Sequence, residues 1–557
     1  MHLITAYNHL AKHRAYITSR TRPTDTSRTH MSRAPTGRSV KGTACINCRQ
    51  RKIRCDGKRP VCGSCSASLP SACRYSDGSA SVDQRLQEEI AILETRLHQL
   101  ENPNDTSRTL TLHATTSSTS PPPHAPLNIS LNMRQALFRS FLPYSFEFGF
   151  FLDYSLSSSL SSSSSSDQLF PSILSACQLL GAYLSPVNEL SALQSAFLSQ
   201  ALFDVSAGLS RDPTQLARSI VHCVQAEIFL AQYFFVNGRT LEGKYRISNA
   251  VSMVLGAGFH KIRSADAYVF QGRAGMHSLP PSVHPGEEGE RINALWQVLI
   301  MNACWTAADS SSSNIAYDVP ESRIDTPWPL DSGSYSQASF PESIQSSHTI
   351  QSFLSNIPDN GRSFLAIHAK AAILFERTSL LHHQYRPNMN LADATRFQQT
   401  FNNLNSAINN MAAILPPLSD HTLSRSTIRR LLIIHTLCRV ASILLHGIFE
   451  QRDPTSLGQV ITAAESVVML FRSVNLTDFP FIDPIMGHLW MTTANVFIKE
   501  IRLHFATRMP RRLPLNEMRD SVEFIMATMQ IFAPKSSFIE RQLMHARQSY
   551  MTSISTQ

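Results

Sequence analysis

Six cysteines fall within 29 residues, at Cys45, Cys48, Cys55, Cys62, Cys65 and Cys73, with the spacing C-x2-C-x6-C-x6-C-x2-C-x7-C. The run is nearly a tandem repeat, Cys45/Cys48/Cys55 and then Cys62/Cys65/Cys73. Two cysteines separated by two residues can turn both sulfurs toward one cation. A third, about two helical turns later, is expected to close the same site from the end of a short helix. Zinc prefers four ligands in a tetrahedron, and thiolates suit it. Two zinc ions would need eight ligand positions, and six cysteines fill them if one sulfur from each half serves both metals.

Other cysteine chemistries fit less well. A disulfide framework belongs to secreted chains, and the N-terminus shows no apolar stretch of signal-peptide length. A RING-like module takes eight ligands and usually includes histidine, but no histidine lies between Cys45 and Cys73. A catalytic zinc keeps one position open and usually uses His or carboxylate ligands. A thiolate-saturated pair leaves no room for substrate, so the two zinc ions are expected to be structural.

The segment CINCRQRKIRCDGKRPVCGSCSASLPSACRY, Cys45 to Tyr75, resembles the fungal binuclear zinc cluster of transcription factors. The resemblance implies that Cys45 and Cys62 bridge the two metals. Cys48 and Cys55 would complete one ion, and Cys65 and Cys73 the other. It implies a DNA-binding role for the basic stretch after Cys48, with the end of the first helix in the major groove over a CGG-type triplet. Lys52 takes the position of the family's base-reading lysine, with Arg51 beside it. Lys and Arg donors complement the two acceptors of guanine. Arg49 and Arg54 are expected on phosphates, which set register without reading sequence; Lys58, Arg59 and Arg74 add to the field. Each half is expected to start a short helix near its second cysteine, with Ile53 packed inward and Pro60 fixing the loop between the halves.

Charge agrees with this. Residues 1–75 carry fifteen Lys/Arg against two Asp/Glu, whereas the whole chain of 557 residues carries 50 against 41. The positive charge is therefore concentrated around the cysteines, as suits a nucleic-acid reader attached to a near-neutral body. Residues 1–40 read as a disordered basic arm and 41–76 as the cluster domain. Leu86, Ile90, Leu93, Leu97 and Leu100 then recur at four and three, an a/d seam of just over two heptads. It reads as a short coiled coil within 77–101, ended by Asn102-Pro103 and pairing two chains as homodimer or heterodimer. Residues 102–128 read as a Ser/Thr/Pro-rich linker and 155–166 as a serine-rich insertion.

From 129 to 540 the apolar residues return at three and four, and alternating runs are rare, which predicts a large all-helical domain. The fold class is thus mainly all-α: a zinc module, a short coiled coil and a helical body. Helices are expected over Ser172–Leu184, Leu216–Val236, Thr240–Ala257, Arg291–Ala307, Phe364–His382, Arg396–Ile414, Ile428–Phe449, Leu457–Val474, Pro484–Ala506 and Leu515–Ile531, with 541–557 a polar tail. Within the body, Asn237-Gly238-Arg239 with Leu241 to Lys261, and Glu290-Arg291 through Leu295-Trp296 and Asp309 to Ile315–Pro329, resemble the helical middle homology region of the same factors. Gly258 reads as a helix stop and His260 as a capping or surface histidine. Cys177, Cys223, Cys304 and Cys438 read as buried free thiols. The most apolar stretch, Leu431 to Phe449, is cut by Arg439, and no membrane span is expected.

These readings converge on a nuclear, sequence-specific regulator of transcription that binds double-stranded DNA and the transcription machinery, and not on an enzyme. An enzyme tethered to DNA would need a catalytic signature. The chain has no P-loop, nucleophile elbow, His-Glu-x-x-His or dinucleotide glycine motif. An interaction scaffold that has lost DNA binding is opposed by the intact basic run Arg49 to Arg54.

Overall fold

This computed structural model describes residues 44–66, Cys73 and, with breaks, 129–555; the main breaks are 153–169, 210–215, 267–284 apart from Leu279 and Ser282, parts of 318–343, 419–422 and 508–511. The expected basic arm, the seam Leu86, Ile90, Leu93, Leu97 and Leu100, the linker, the serine-rich insertion and Arg74 lie outside the described residues. The chain divides into two units, residues 1–119 and 120–557.

In the first unit the described elements are α1 (Ile46–Gln50) and α2 (Gly63–Ser66). Its buried apolar set is Cys45, Cys48, Cys55, Cys62 and Cys65, flanked by Ala44, Val61 and Cys73. Among its described residues this module's buried core is sulfur.

The second unit is helical. Its described helices are α3 (Leu131–Phe141), α4 (Pro171–Leu184), α5 (Asn188–Ser191), α6 (Gln194–Gly208), α7 (Leu216–Val236), α8 (Thr240–Gly256), α9 (Pro285–Asp309), α10 (Thr349–Leu354), α11 (Phe364–Gln384), α12 (Leu391–Ile414), α13 (Arg425–Gly447), α14 (Pro454–Arg472), α15 (Ile485–Thr507), α16 (Leu515–Phe532) and α17 (Ser537–Ser555). Among the described residues β pairing is limited to one isolated bridge, Ser264 to Ser346. Several helices start earlier than hydrophobic periodicity suggests, because a polar cap rather than an apolar residue sets the start. Asn390 accepts the Asp393 amide and opens α12 at Leu391, which is 79% exposed, five residues before the expected Arg396. Ser424 caps α13 through the Thr427 amide, and Asp453 caps α14 through Thr455 and Ser456.

Helix α7, and not Leu431–Phe449, is the described helix long and apolar enough to cross a membrane by length and composition. It is buried from Val221 to Val236 at the centre of the body. Phe235 stacks on Trp305 with ring centroids 3.5 Å apart, and Phe538 of α17 meets the same indole edge-on at 5.1 Å. Gln225 of α7 clamps the segment after α3: its amide donates to the Gly149 carbonyl at 3.1 Å and its oxygen accepts the Phe151 amide at 2.8 Å.

The two stretches singled out in the body interlock. Helix α8 stops at Gly258, whose φ of 77° is left-handed, as its reading as a stop requires. The chain then turns so that the His260 carbonyl accepts the amides of Asp325 and Thr326. Asp325 is wholly buried and accepts Arg323 Nε at 2.9 Å, Lys261 Nζ at 3.0 Å, Ser264 Oγ at 2.9 Å and the His348 amide at 2.9 Å. Trp296 stacks on Trp328 and donates its indole N–H to the Pro327 carbonyl at 2.8 Å.

The expected polar tail is corrected. Residues 541–557 are not a polar tail: α17 runs through Ser555 and buries Leu543, Ala546, Tyr550 and Ser553. Their spacing of three and four is helical, but only one of the four is a large aliphatic residue, so the stretch reads as polar. The four cysteines outside the cluster are buried and form no disulfide, as expected. Burial pushes the Cys177 and Cys304 thiols up, and that of Cys438 to about 12.

Candidate metal centre and nucleic-acid interface

Cys45 is the N-cap of α1 and its Sγ accepts the Cys48 amide at 3.4 Å. That hydrogen bond is the main reason its thiol is held down at about 6. Cys48 follows one turn later and is buried, and loss of solvation raises its thiol. The helices therefore begin just after the first cysteine of each half, not at the second as expected. Cap and first turn together converge the C-x2-C pair.

Cys55 reaches the site by a turn rather than from a helix end. α1 closes at Arg51, and Lys52 takes a left-handed φ of 53°. The Lys52 amide donates to the Arg49 carbonyl at 3.3 Å and the Ile53 amide to the Cys48 carbonyl at 3.1 Å. This paired closure is a Schellman motif, with lysine where glycine is usual. It reverses the chain so that Arg54 and Cys55 run back past the cluster. Ile53 does not pack inward: it is 44% exposed, because a five-residue helix offers it nothing to pack on.

The loop 56–62 is tied by Asp56, whose carboxylate spans it, and by Ser64 on its far side. Asp56 Oδ1 accepts the Gly63 amide at 3.0 Å, the main cause of its lowered carboxyl pKa, and the Lys58 amide at 3.5 Å. Ser64 Oγ donates to the Arg54 carbonyl at 2.9 Å, and Asn47 Nδ2 to Cys65 Sγ at 3.4 Å. The Asp56-Gly57 turn was the available signal, with Gly57 at φ 70°. The Arg59–Pro60 peptide is cis. The Cys62 amide donates to Cys73 Sγ at 3.3 Å.

All six sulfurs converge. Cys45, Cys48, Cys55 and Cys62 form one group with every Sγ within 4.8 Å of the others, and Cys45, Cys62, Cys65 and Cys73 form a second. Cys45 and Cys62 are common to both. Sγ to Sγ distances are 3.8 Å for Cys45–Cys62, 3.7 Å for Cys45–Cys65 and 3.6 Å for Cys48–Cys62. Cys48 also lies 3.8 Å from Cys65, across the two groups. A zinc tetrahedron with Zn–S near 2.3 Å has edges of about 3.8 Å. A disulfide would need about 2.05 Å, and all six thiols are free. The donor set and its spacing fit two zinc ions.

Around this sulfur core, Arg49, Gln50, Arg51, Lys52, Arg54, Lys58 and Arg59 are all exposed, and Asp56 is the acid among them. Of the residues expected to meet DNA, Arg49, Arg51, Lys52 and Arg54 lie on the end of α1 and the turn that follows it, and Lys58 lies on the loop 56–62.

A sulfur-cored, cation-coated module of this kind defines a binuclear zinc–thiolate domain. Residues 43–80 match the fungal Zn(2)-Cys(6) binuclear cluster domain. A curated relative, Transcription factor FBD3 of Gibberella moniliformis, is 36% identical over 97 residues, covering 16% of this chain and 13% of that protein. No solved structure matches the chain. The chain therefore carries a fungal Zn(2)-Cys(6) binuclear cluster domain together with a large helical region.

Proposed function

We propose that the chain is a nuclear transcription factor that binds double-stranded DNA in a sequence-specific way, reading CGG-type triplets. The observation that carries the reading is the pair of cysteine groups sharing Cys45 and Cys62, beneath an exposed basic turn. In this reading Cys45 and Cys62 bridge the two metals, Cys48 and Cys55 complete one, and Cys65 and Cys73 complete the other. Zinc supplies folding energy and no reaction. Lys52 and Arg51 meet guanine edges, and Arg49, Arg54 and Lys58 meet phosphates. The seam Leu86, Ile90, Leu93, Leu97 and Leu100 pairs two chains so that two triplets are bound at once. The helical region serves as the regulatory body, and its interlocked stretches support its assignment as a middle homology region. The Zn(2)-Cys(6) family is normally non-enzymatic, which supports the absence of a reaction.

Selection of the full-length, zinc-loaded protein on random duplexes tests this. Enrichment of paired CGG triplets at one fixed spacing is the expected result. Enrichment of single triplets would remove the dimer. Retention of duplexes without any sequence preference would favour a zinc-bearing scaffold instead.

A further inference from the structure

The two halves of the cluster are joined by a side chain as well as by shared sulfurs. Asn47 lies on α1, between the two cysteines of the first half, and its carbonyl accepts the Arg51 amide at 3.0 Å. Its side chain serves the other half. Nδ2 donates across the cluster to Cys65 Sγ on α2, eighteen residues further along the chain, at 3.4 Å. The Cys48 amide keeps the same distance from Cys45 Sγ, and the Cys62 amide lies 3.3 Å from Cys73 Sγ. Those two sulfurs are held by backbone, which no substitution removes. Cys65 is held by a side-chain amide, which a substitution can delete.

The sulfurs that are not shared are unequally covered. Cys48 and Cys55 are both buried, whereas in the second pair Cys65 is buried and Cys73 is half-buried. The group formed by Cys45, Cys62, Cys65 and Cys73 is therefore the more open of the two. It is also the more dispensable. Cys45 and Cys62 belong to both groups, so loss of the second ion leaves four thiolates, Cys45, Cys48, Cys55 and Cys62, around the first. Six thiolates exceed the charge of two zinc dications by two, and hydrogen bonds donated to sulfur offset that excess. A zinc-bound cysteine is deprotonated and can only accept, so an amide beside it turns its N–H toward the sulfur, as Asn47 does. Partners of this outer kind orient a metal ligand, and their loss typically weakens metal binding by about 10–100-fold.

We propose that Asn47 is a positioning residue for the second metal: its amide, donated across the cluster, holds Cys65 Sγ in place and sets how fast that ion is lost. The inference rests on the two-zinc reading of the cysteines and is independent of how the module reads DNA. The ion assigned to Cys65 and Cys73 is the first to be released, and Asn47 slows that release selectively.

The test is zinc release from the full-length, zinc-loaded protein, with its zinc content measured beforehand. Release into an excess of a chromophoric chelator is followed in time, and mass spectrometry identifies the cysteines that an alkylating agent has modified at each interval. Asn47→Leu removes the donor at similar bulk, and Asn47→Asp removes it at nearly the same shape. Each should speed the release of one ion by about tenfold or more and leave the other within about twofold. Cys65 and Cys73 should be alkylated before Cys48 and Cys55. If Asn47→Leu takes up no zinc, Asn47→Asp decides. A variant that holds a single zinc, with Cys48 and Cys55 protected and Cys65 and Cys73 reactive, agrees with the proposal. Wild-type release rates in either zinc-loaded variant, equal acceleration of both ions, alkylation of Cys48 and Cys55 first, or failure of both variants to hold any zinc would overturn it. A wild-type protein without zinc would instead remove the metal centre itself.

Discussion

Lys52 combines two roles that pull in different directions. As the proposed base-reading residue it needs a long cationic side chain, and as the residue that closes α1 it holds a left-handed φ of 53°. A non-glycine residue in such a conformation costs on the order of 1–2 kcal/mol. Strain of this kind tends to be kept where function needs the side chain. Lys52→Gly should therefore keep the turn and the zinc content while losing discrimination between a CGG site and random duplex, by about 1–3 kcal/mol. Arg54→Ala should weaken both duplexes alike and flatten the dependence of log K on log salt by about 0.9, as expected for one lost phosphate contact. Gel-shift titrations over a salt series read both variants, and matching losses on both duplexes would end the division of roles. In the helical region Asp325 is the residue whose chemistry stands out. Burial alone would raise its carboxyl pKa, but its hydrogen bonds from Arg323, the His348 amide, Lys261 and Ser264 outweigh that and hold it well below the usual carboxylate range. The folded state thus binds the proton more weakly than the unfolded chain. This contribution to stability is full above the unfolded pKa of about 3.9 and fades as pH falls below it. Asp325→Asn should cost about 3 kcal/mol at neutral pH, the low end for a broken buried pair, because Lys261 loses its Asp325 carboxylate while Arg323 keeps Asp266, and should flatten the acid limb of the stability profile. Denaturant melts from pH 7 to 3 would show a parallel profile if the hub were unimportant.

Among the elements, α17 is the one most at odds with its sequence. Phe538 and Ile539 enter the core beside Trp305 and Gly487, and Arg541 donates to the Gly238 carbonyl at the start of α8. Burial of side chains of this size contributes about 1.5–3 kcal/mol each, and a domain has only about 5–15 kcal/mol in all. Truncation after Ser536 should abolish cooperative thermal unfolding followed by circular dichroism; an unchanged melting curve would show that the body stands without this helix. The contrast with the cluster explains what could be read from the sequence. Cysteine ligands announce themselves because their chemistry and their spacing are both local, and the long helices do so because α7, α8 and α11 carry dense apolar residues at three and four. Contacts that depend on distant partners leave no such mark. Lys261 and Asp325 read as two unrelated charges, Leu543-Ala546-Tyr550-Ser553 reads as polar, and nothing in the run Arg49 to Arg54 announces that its fourth residue is left-handed. Ile53 misled because an apolar residue beside a helix implies burial only where there is a core to receive it.

At the scale of the whole molecule the two units are held by different physics. The helical body has a continuous apolar core running from Leu137 to Tyr550. Among its described residues the cluster buries five cysteines, flanked by Ala44, Val61 and Cys73. Removal of metal should therefore separate the two responses. Structural zinc sites fold with their metal, and free thiols in a segment this short cannot replace the metal–sulfur bonds. Because thiolates are the ligands, acid competes with zinc for the same sulfurs, so metal release should also follow acidification. A strong chelator should extract about two zinc ions per chain, abolish duplex binding, and make the six cluster thiols reactive to an alkylating agent. The helical far-ultraviolet signal and the thermal transition of the body should persist, with Cys177, Cys223, Cys304 and Cys438 remaining protected by burial. Mass spectrometry of the alkylated protein counts the modified cysteines directly. Modification at Cys45, Cys48, Cys55, Cys62, Cys65 and Cys73 only after chelation is the pattern that a metal-built module requires. Equal reactivity before and after chelation would mean that the sulfurs hold no metal, and the DNA-reading surface would then lack the scaffold that shapes it.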